Sequence, residues 1–210
     1  IKLLGGKPLI HHTIEAALKA GADPRQIIVS TDDDEIALVA AQAGIEVPYR
    51  RPRLLGGDTV GSREVILDVM QWADSNGIGY DTIVLLQPTS PLRTPADIND
   101  CLDAFILGQT DMAVTVTEAA SNPYYNCFET DADGLLHVSK GNGLITRRQD
   151  APPAWEYNGA VYVIDPDAIR RMPMGSFTRR RPSVMPRERS VDLDTPLDWQ
   201  IAELLLSHSH

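Results

Sequence analysis

The sequence predicts a three-layer α/β fold in which helices cover both faces of a mostly parallel sheet. Apolar segments of strand length alternate with amphipathic segments of helix length along most of the 210 residues. Segment 82–86 is almost continuously apolar, which is typical of a strand in a sheet covered on both faces. Ligands of such sheets bind beyond the carboxyl ends of the strands, so the loops that follow the strands are searched first for a functional site.

Helices are predicted where apolar residues recur at helical spacing between residues that begin or end helices. The first covers 8–20 and ends at Gly21, and the second, which ends near Ala43, begins after acidic residues that suit the positive end of a helix dipole. Thr-Pro-x-Asp occurs at 94–97 and 195–198, where threonine is the N-cap and proline the first helical residue. Further helices are predicted to begin at Ser62 and Asp165.

Short apolar runs bounded by turn residues predict the strands. They cover 26–30, 45–47, 82–86, 111–116 and 158–164. Between 119 and 156, polar and turn residues with short irregular strands such as 135–138 replace this pattern. We therefore expect a single domain spanning 1–210 with an inserted segment at 119–156 (the arm), followed later by a basic loop at 179–181 and an extended segment at 190–194.

Composition argues against several classes of function. The net charge of −10 and the pI near 4.8 disfavour a broad nucleic-acid or anionic-membrane surface, since either requires a basic face. The two cysteines, Cys101 and Cys127, are too few for a disulfide framework or a zinc site of their own. The longest apolar run, 36–41, is far shorter than a membrane span, and no signal peptide is recognised. We expect a cytoplasmic protein.

Asp192-Leu193-Asp194 (the acidic segment) is the first candidate for chemistry. Two aspartates at i and i+2 of an extended segment point to the same side, where their charges repel. A divalent cation between them relieves that repulsion, and oxygen ligands of this kind suit magnesium, or alternatively manganese, with phosphate oxygens completing the shell. The alternative explanation is that the two aspartates bind no metal and occur here because the dipole of the following helix favours negative charge near its N-terminus.

Other candidates are polar side chains in loops or at strand starts. Loop 87–93 follows the most strand-like segment, and two prolines hold its Gln, Thr, Ser and Arg side chains in place. Asn158 and Tyr162 would face the same side of one strand. Arginines at 50–53 precede a Gly-Gly pair that lets backbone N–H groups approach a ligand, and Arg148 can pair with a carboxylate or phosphate. Each feature also has a structural alternative. Loop 87–93 would then be a turn, Tyr162 a buried core residue, and the arginines solvated surface charges.

Several of these motifs occur in the order found in one family. The segments that carry the likeness are 2–10, 30–32, 51–52 with 57–59, 87–93, 148–150, 158–162 and 192–194. Gln-Pro-Thr-Ser-Pro-Leu-Arg, then Asn-Gly-Ala-x-Tyr, then Asp-x-Asp is a specific combination, and the likeness covers nearly the whole chain. The sequence thus resembles the acylneuraminate cytidylyltransferases, or CMP-sialic acid synthetases, whose fold is that of the nucleotide-diphospho-sugar transferases, a Rossmann-like arrangement.

The resemblance implies a magnesium-dependent nucleotidyltransferase. Such an enzyme joins CTP to a nine-carbon 2-keto-3-deoxy sugar acid, N-acetylneuraminate or a relative, and releases pyrophosphate. It implies a homodimer in which the arm reaches the partner subunit. By family position, Arg51, Val60 and Ser62 would line the cytosine pocket, Gln87, Arg148, Asn158 and Tyr162 would hold the sugar acid, and Asp192 and Asp194 would bind the metal. Arg148 is also grouped with the two aspartates as a catalytic residue, because the substrate carboxylate needs a cation.

One feature of the family is missing from the sequence. Its Gly-rich phosphate loop, with an arginine and a lysine after the first strand, would lie before Ile1. We expect about 20 further residues there in the working protein, which is one strand plus a loop by usual element lengths. Two alternatives remain at this point: a glycosyltransferase with an Asp-x-Asp metal site, and a non-catalytic nucleotide-binding module. Pyrophosphate release from CTP and a sialic acid separates both from a synthetase.

Overall fold

The structure is a computed structural model that describes residues 1–57 and 61–208. Val60, predicted to line the cytosine pocket, therefore lies outside the described residues. The helices are α1 (Leu9–Lys19), α2 (Asp34–Gln42), α3 (Ser62–Ser75), α4 (Pro95–Ile106), α5 (Pro166–Arg171) and α6 (Pro196–Ser207). The strands are β1 (Leu3–Leu4), β2 (Lys7–Pro8), β3 (Ile83–Leu86), β4 (Met112–Glu118), β5 (Phe128–Thr130), β6 (Leu136–Val138), β7 (Trp155–Ile164) and β8 (Arg180–Val184).

The predicted helix starts are confirmed by their hydrogen bonds. Thr94 and Thr195 each cap a helix by accepting from the backbone of the aspartate three residues on, and that aspartate bonds back to the threonine backbone. Asp33 caps α2 by accepting from two backbone N–H groups, and Asp165 caps α5 in the same way with one. These signals are local in sequence, so the helix boundaries follow from short stretches of chain.

The central sheet has the strand order β3-β7-β4-β8. β7 runs antiparallel to both β3 and β4, whereas β8 runs parallel to β4. Three of its four strands therefore point the same way, but two of its three pairings are antiparallel, so the sheet is mixed where a mostly parallel one was predicted. The β1–β2 pair and the β5–β6 pair form two small separate sheets, the second of them within the arm.

Helices cover both faces of this sheet, which confirms the three layers. On one face, Ile66 of α3 and Ile169 of α5 pack on Met112 and Val114 of β4. On the other face, buried residues of α1 and α4 pack on Ala113 and on the alternate residues of β7. The alternation along β4 follows from the two-residue period of a strand. Within the described residues, no helix has the length and apolar character required to cross a membrane.

Two predicted strands and one predicted loop are wrong. Segments 26–30 and 45–47 form no strand, although Ile27, Val29 and Val47 pack against a small core between α1 and α2. Burial of the apolar side chains determines which side of each segment faces the core. A β-strand also requires a neighbouring strand with which its backbone can form hydrogen bonds. Conversely, the predicted basic loop at 179–181 leads into β8, an edge strand whose charges and proline discourage pairing with another chain.

Candidate active site

The candidate site forms where β3 ends beside the middle of β7. Leu86 pairs with Val161, so Gln87 and residues 158–160 lie at the same edge of the sheet. On the other side of β7, Val114 pairs with Tyr162 whereas Val116 pairs with Tyr157, so residues between these pairs leave the regular ladder. Such a bulge bends a strand and redirects its side chains, which is common next to active sites.

Thr115 replaces the ladder hydrogen bonds that the bulge removes. Its Oγ1 accepts from the Val161 N–H at 2.8 Å and donates to Asn158 Oδ1 at 2.7 Å. The Asn158 amide nitrogen donates to Ser190 Oγ at 2.9 Å, and Asn158 is only 4% exposed. Asn158 thus connects β4, β7 and the loop before the acidic segment. A direct contact between Asn158 and a sugar acid stays a prediction.

Gly159 is the point at which the polar side chains converge. A Cβ built on Gly159 would lie 2.9 Å from Gln87 Oε1, 3.0 Å from Asp192 Oδ2 and 3.0 Å from Ser90 Oγ. Its φ of +71° also lies in the left-handed region that favours glycine. The structure therefore brings Gln87 and Asp192 together and adds Ser90 and Gly159, which the sequence displayed only as members of the motifs at 87–93 and 158–162. The sequence signals for Gly159 are its place in the Asn-Gly-Ala-x-Tyr motif and the presence of a glycine inside a predicted strand.

The acidic segment is a tight turn rather than the extended segment that was predicted. The Asp194 N–H donates to the Asp192 carbonyl oxygen at 3.1 Å, which closes a three-residue turn. The Leu193 N–H donates to the Thr89 carbonyl oxygen at 2.9 Å and so attaches the turn to loop 87–93. Asp192 is half-buried and Asp194 is exposed. The turn places Asp192 against the β7 bulge.

The two carboxylates fit magnesium in donor chemistry. In the part of the chain that the structure describes, neither Asp192 nor Asp194 forms an ion pair with a lysine or arginine. The same residues contain no group of three or more His, Cys, Asp and Glu side chains that could hold a metal by themselves. Magnesium is usually held by one or two carboxylates and completes its shell with water and substrate phosphates. The pair matches that pattern in donor chemistry, and the role of Asp192 and Asp194 as metal ligands stays a prediction.

An ion pair fixes the loop that leads into the acidic segment. Arg189 donates to both carboxylate oxygens of Asp97, at 2.7 and 3.0 Å. Asp97 is 3% exposed and also completes the cap of α4. Burial alone would raise the pKa of Asp97, but the hydrogen bonds from Arg189 and Thr94 together hold that pKa below its ordinary value.

Removing the Asp97 charge should cost stability in a pH-dependent way. Asp97→Asn is expected to lower the free energy of unfolding by about 1–3 kcal/mol at neutral pH, the range for a lost charge-assisted hydrogen bond. Because the folded-state pKa of Asp97 is lowered, its contribution is complete above the unfolded-state pKa and is lost as the pH falls through the folded-state value. The difference from wild type should therefore shrink below about pH 4. Urea unfolding across this pH range measures it.

Asp198 offers a matched control for Asp97. It makes the same capping bonds to Thr195 at an exposed helix start, and among the residues that the structure describes no arginine pairs with its carboxylate. Asp198→Asn should therefore cost less stability than Asp97→Asn. Equal losses from both variants would show that capping, rather than the Arg189 pair, accounts for the effect.

A cavity of about 270 Å³ lies next to Gln87. Its lining includes Arg51, Ser62 and Gln87, three of the predicted binding residues, together with apolar side chains of α3 and β3. Asp32 accepts from Arg51 Nη2 at 2.7 Å, and this bond lowers the pKa of Asp32. Arg51 Nε is buried and has no hydrogen-bond partner among the described residues, which leaves one donor available. A larger groove, of about 610 Å³ between α4 and β8, contains none of the predicted site residues.

Tyr162 lies close to this group, whereas Arg148 lies in the arm. Tyr162 pairs with Leu85 across the ladder and stacks edge-on against Tyr157. Burial raises the pKa of Tyr162, and the nearby charge of Asp192 adds to the shift. Arg148 is exposed and donates to the Ala120 carbonyl oxygen at 2.6 Å, within the arm itself. The role predicted for Arg148 therefore stays a prediction.

Known proteins resemble this chain over most of its length. The family profile described as "Cytidylyltransferase" matches residues 1–200. CMP-N,N'-diacetyllegionaminic acid synthase of Legionella pneumophila is 31% identical over 98% of this chain and 88% of its own length. N-acylneuraminate cytidylyltransferase of Streptococcus agalactiae is 32% identical over 93% of this chain and 46% of its own length.

A solved structure supports the fold. CMP:2-keto-3-deoxy-manno-octonic acid synthetase, determined in complex with CTP, superimposes with a TM-score of 0.68 over 100% of this chain and 91% of that one, at 16% identity. That likeness confirms the nucleotide-sugar-transferase type of α/β fold. The family match favours neither a glycosyltransferase nor a non-catalytic module. The chain belongs to the cytidylyltransferase family and is a nucleotidyltransferase.

Proposed function

We propose that this enzyme transfers CMP from CTP to a nine-carbon 2-keto-3-deoxy sugar acid and releases pyrophosphate. The observation that carries the proposal is the convergence of Gln87, Ser90 and Asp192 on Gly159, beside a cavity lined by Arg51. The names of the two relatives describe a synthase of a CMP-linked legionaminic acid and a cytidylyltransferase of acylneuraminate. Both substrates belong to the proposed class.

The cavity beside Gln87 is the proposed place for cytosine. The cytosine ring offers a carbonyl oxygen and a ring nitrogen as acceptors, and Arg51 carries the buried donor that lacks a partner among the described residues. Asp32 holds the Arg51 guanidinium in place through the bond at 2.7 Å. Ser62 contributes a hydroxyl at the start of α3, and Val60 is proposed to contact the base by family position.

The sugar acid is proposed to bind between Gln87 and Tyr162. The Gln87 amide both donates and accepts, which suits the hydroxyl groups of a sugar. Asn158 is proposed to support the sugar-acid site indirectly. The hydrogen bonds of its amide stabilise the β7 bulge beside which Gln87 and Asp192 lie. Arg148 supplies the cation for the substrate carboxylate in this proposal.

The reaction requires one bond to form and one to break at the α-phosphorus of CTP. The anomeric hydroxyl of the sugar acid attacks that phosphorus, its proton is lost, and pyrophosphate leaves with the electrons of the broken P–O bond. Magnesium held by Asp192 and Asp194 would neutralise charge on the phosphates. The remaining contribution of the chain is positioning, with the reactants held at the edge of a rigid sheet.

The arm is proposed to form a homodimer interface. The β5–β6 hairpin and the residues around it carry large apolar side chains that are exposed in the single chain: Phe128, Leu135, Leu136, Leu144 and Trp155. Exposed apolar groups in such number usually mark an interface. Sedimentation equilibrium should give twice the 23.0 kDa mass of the chain, and a single-chain mass at micromolar concentration would contradict the proposal.

A substrate panel tests the proposed function. Pyrophosphate release is measured with CTP and N-acetylneuraminate, legionaminate, pseudaminate, deaminated neuraminate and 2-keto-3-deoxy-manno-octonic acid, with UTP in place of CTP as the nucleotide control. Release with at least one nine-carbon acid, dependent on CTP, supports the proposal. Release with the eight-carbon acid alone, or with none, would refute it.

Arg148→Ala should weaken binding of the sugar acid selectively. Its KM is expected to rise about tenfold or more while the KM for CTP changes little, because a charge-assisted contact to a carboxylate contributes about 1.5 kcal/mol or more. Arg147→Ala is the control, since Arg147 is exposed and pairs with Asp150 at 2.7 Å. An equal rise in both KM values would mean that Arg148 contacts the phosphates instead.

A further inference from the structure

Arg93 is a buried arginine at the end of loop 87–93. Its side chain is only 4% exposed, whereas arginine is rarely buried unless its donors are used. Burial lowers the pKa of Arg93 to about 10, so the guanidinium remains charged at neutral pH. The nearby carboxylates of Asp192 and Asp97 favour that charge. Because burying a charge is costly unless it is paired and hydrogen-bonded, the buried guanidinium of Arg93 indicates a specific role for this residue.

The Arg93 guanidinium connects three separate parts of the fold. Nε donates to the Ala160 carbonyl oxygen at 2.9 Å, and Nη1 donates to Thr13 Oγ1 at 2.8 Å. Nη2 donates to the carbonyl oxygen of Gln87. The fork of donors is planar and rigid, so these bonds fix the end of β3, the bulge of β7 and helix α1 relative to one another.

Two of these three acceptors flank the candidate site. One is the backbone of Gln87 itself, and the other is the residue directly after Gly159. Gln87 Oε1 and Asp192 Oδ2 approach each other at Gly159, so a small shift of either backbone would change their spacing. The third acceptor, Thr13, lies on α1 and serves to anchor the guanidinium from the opposite side.

We propose that Arg93 is a positioning residue that sets Gln87 and the Gly159 bulge at the spacing needed for the sugar acid. The inference rests on the proposed function for its kinetic consequence. Arg93 acts through the Gln87 and Ala160 carbonyl groups and does not itself contact a substrate. Displacing a substrate-holding group by about 1 Å can reduce a rate about 100-fold, so the loss of this support should be measurable.

Arg93→Lys tests the proposal because lysine keeps the charge but cannot span three acceptors. The KM for the sugar acid is expected to rise about tenfold and kcat to fall about tenfold, with the KM for CTP changed less than about twofold. A purely structural role would lower the folded fraction and hence the apparent kcat, with both KM values unchanged. Thr13→Val is the matched comparison: it removes the anchor on α1 but leaves the bonds to the Gln87 and Ala160 carbonyl groups, so the sugar-acid KM should rise less than in Arg93→Lys.

A double variant separates failure of the inference from failure of the proposed function. If Arg93 acts in part through Gln87, adding Arg93→Lys to Gln87→Ala should raise the sugar-acid KM by a smaller factor than adding it to the wild type. Additive effects would overturn the inference. If Gln87→Ala by itself leaves that KM unchanged, the assignment of Gln87 to the sugar acid is what fails.

Hydrogen exchange then decides the positioning claim without any substrate. Backbone amides of 87–93 and 158–161 should exchange faster in Arg93→Lys than in Thr13→Val, and unchanged exchange in both segments would overturn the inference. If Arg93→Lys does not fold, the test is made on the wild-type enzyme by ¹⁵N-resolved NMR. The chemical shift of the Arg93 Nε–H resonance should change when the sugar acid is added with CTP. A resonance that does not respond would overturn the inference.

Discussion

Asp192→Asn and Asp194→Asn should each reduce kcat about 100-fold or more while the fold is retained, since a lost metal ligand removes several kcal/mol of transition-state stabilisation. Neither carboxylate pairs with a lysine or arginine within residues 1–57 and 61–208, so neutralising them breaks no ion pair there. The measurement is kcat as a function of magnesium concentration, together with manganese binding followed by electron paramagnetic resonance. Both variants should bind manganese more weakly than wild type.

Asp103→Asn is the control for the two aspartates. Asp103 is an exposed acid on α4 that lines the groove beside β8, so its removal changes the net charge by the same amount. Its kcat and manganese affinity should match those of the wild type. Near-normal, magnesium-dependent turnover in Asp192→Asn or Asp194→Asn would remove that aspartate from the site.

Gly159→Ala should reduce kcat about 100-fold with a smaller loss of stability. The new methyl group would lie 2.9 to 3.0 Å from Gln87 Oε1, Asp192 Oδ2 and Ser90 Oγ, so it must push these side chains apart. A displacement of about 1 Å in such groups can cost about 100-fold in rate. The positive φ adds strain of about 1–3 kcal/mol, which unfolding in urea would report separately. Steady-state kinetics at saturating substrates measures the loss of kcat.

Gly44→Ala distinguishes strain from crowding. Gly44 has a φ of +84°, and apart from its two chain neighbours no described residue has a heavy atom within 4 Å of the position of its Cβ. Gly44→Ala should therefore lose a similar amount of stability and keep its kcat. If Gly159→Ala were as active as Gly44→Ala, the polar groups around Gly159 would not be part of the reacting site.

Local signals predicted the helices, and non-local pairing limited the prediction of strands. The caps at Thr94 and Thr195 depend on residues three positions away, which the sequence displays directly. Segments 26–30 and 45–47 carry strand-like apolar residues, but a ladder partner is not encoded in the segment itself. The strand β8 was missed because arginines and a proline, which suit an edge, are also typical of a loop.

The same distinction applies to the site. Gln87 and Asp192 were predicted from their motifs, and the structure brings them together. What the sequence could not display is the bulge that joins them, because it depends on Thr115 in a different strand. Arg93 appeared only as the last residue of a motif, since two of its three acceptors, in Ala160 and Thr13, lie far from it in the sequence. The roles predicted for the site residues, including Arg148 and Val60, remain predictions.

The most direct test of the account is ³¹P NMR of the wild-type enzyme with CTP, magnesium and the best nine-carbon acid of the panel. The α-, β- and γ-phosphate resonances of CTP should disappear together, while one pyrophosphate and one phosphodiester resonance appear with intensities in the ratio 2:1, because each pyrophosphate carries two equivalent phosphorus atoms. That result identifies transfer of CMP to the sugar acid with pyrophosphate as the leaving group. Unchanged CTP with every acid of the panel, or pyrophosphate accompanied by free CMP instead of a phosphodiester, would contradict it.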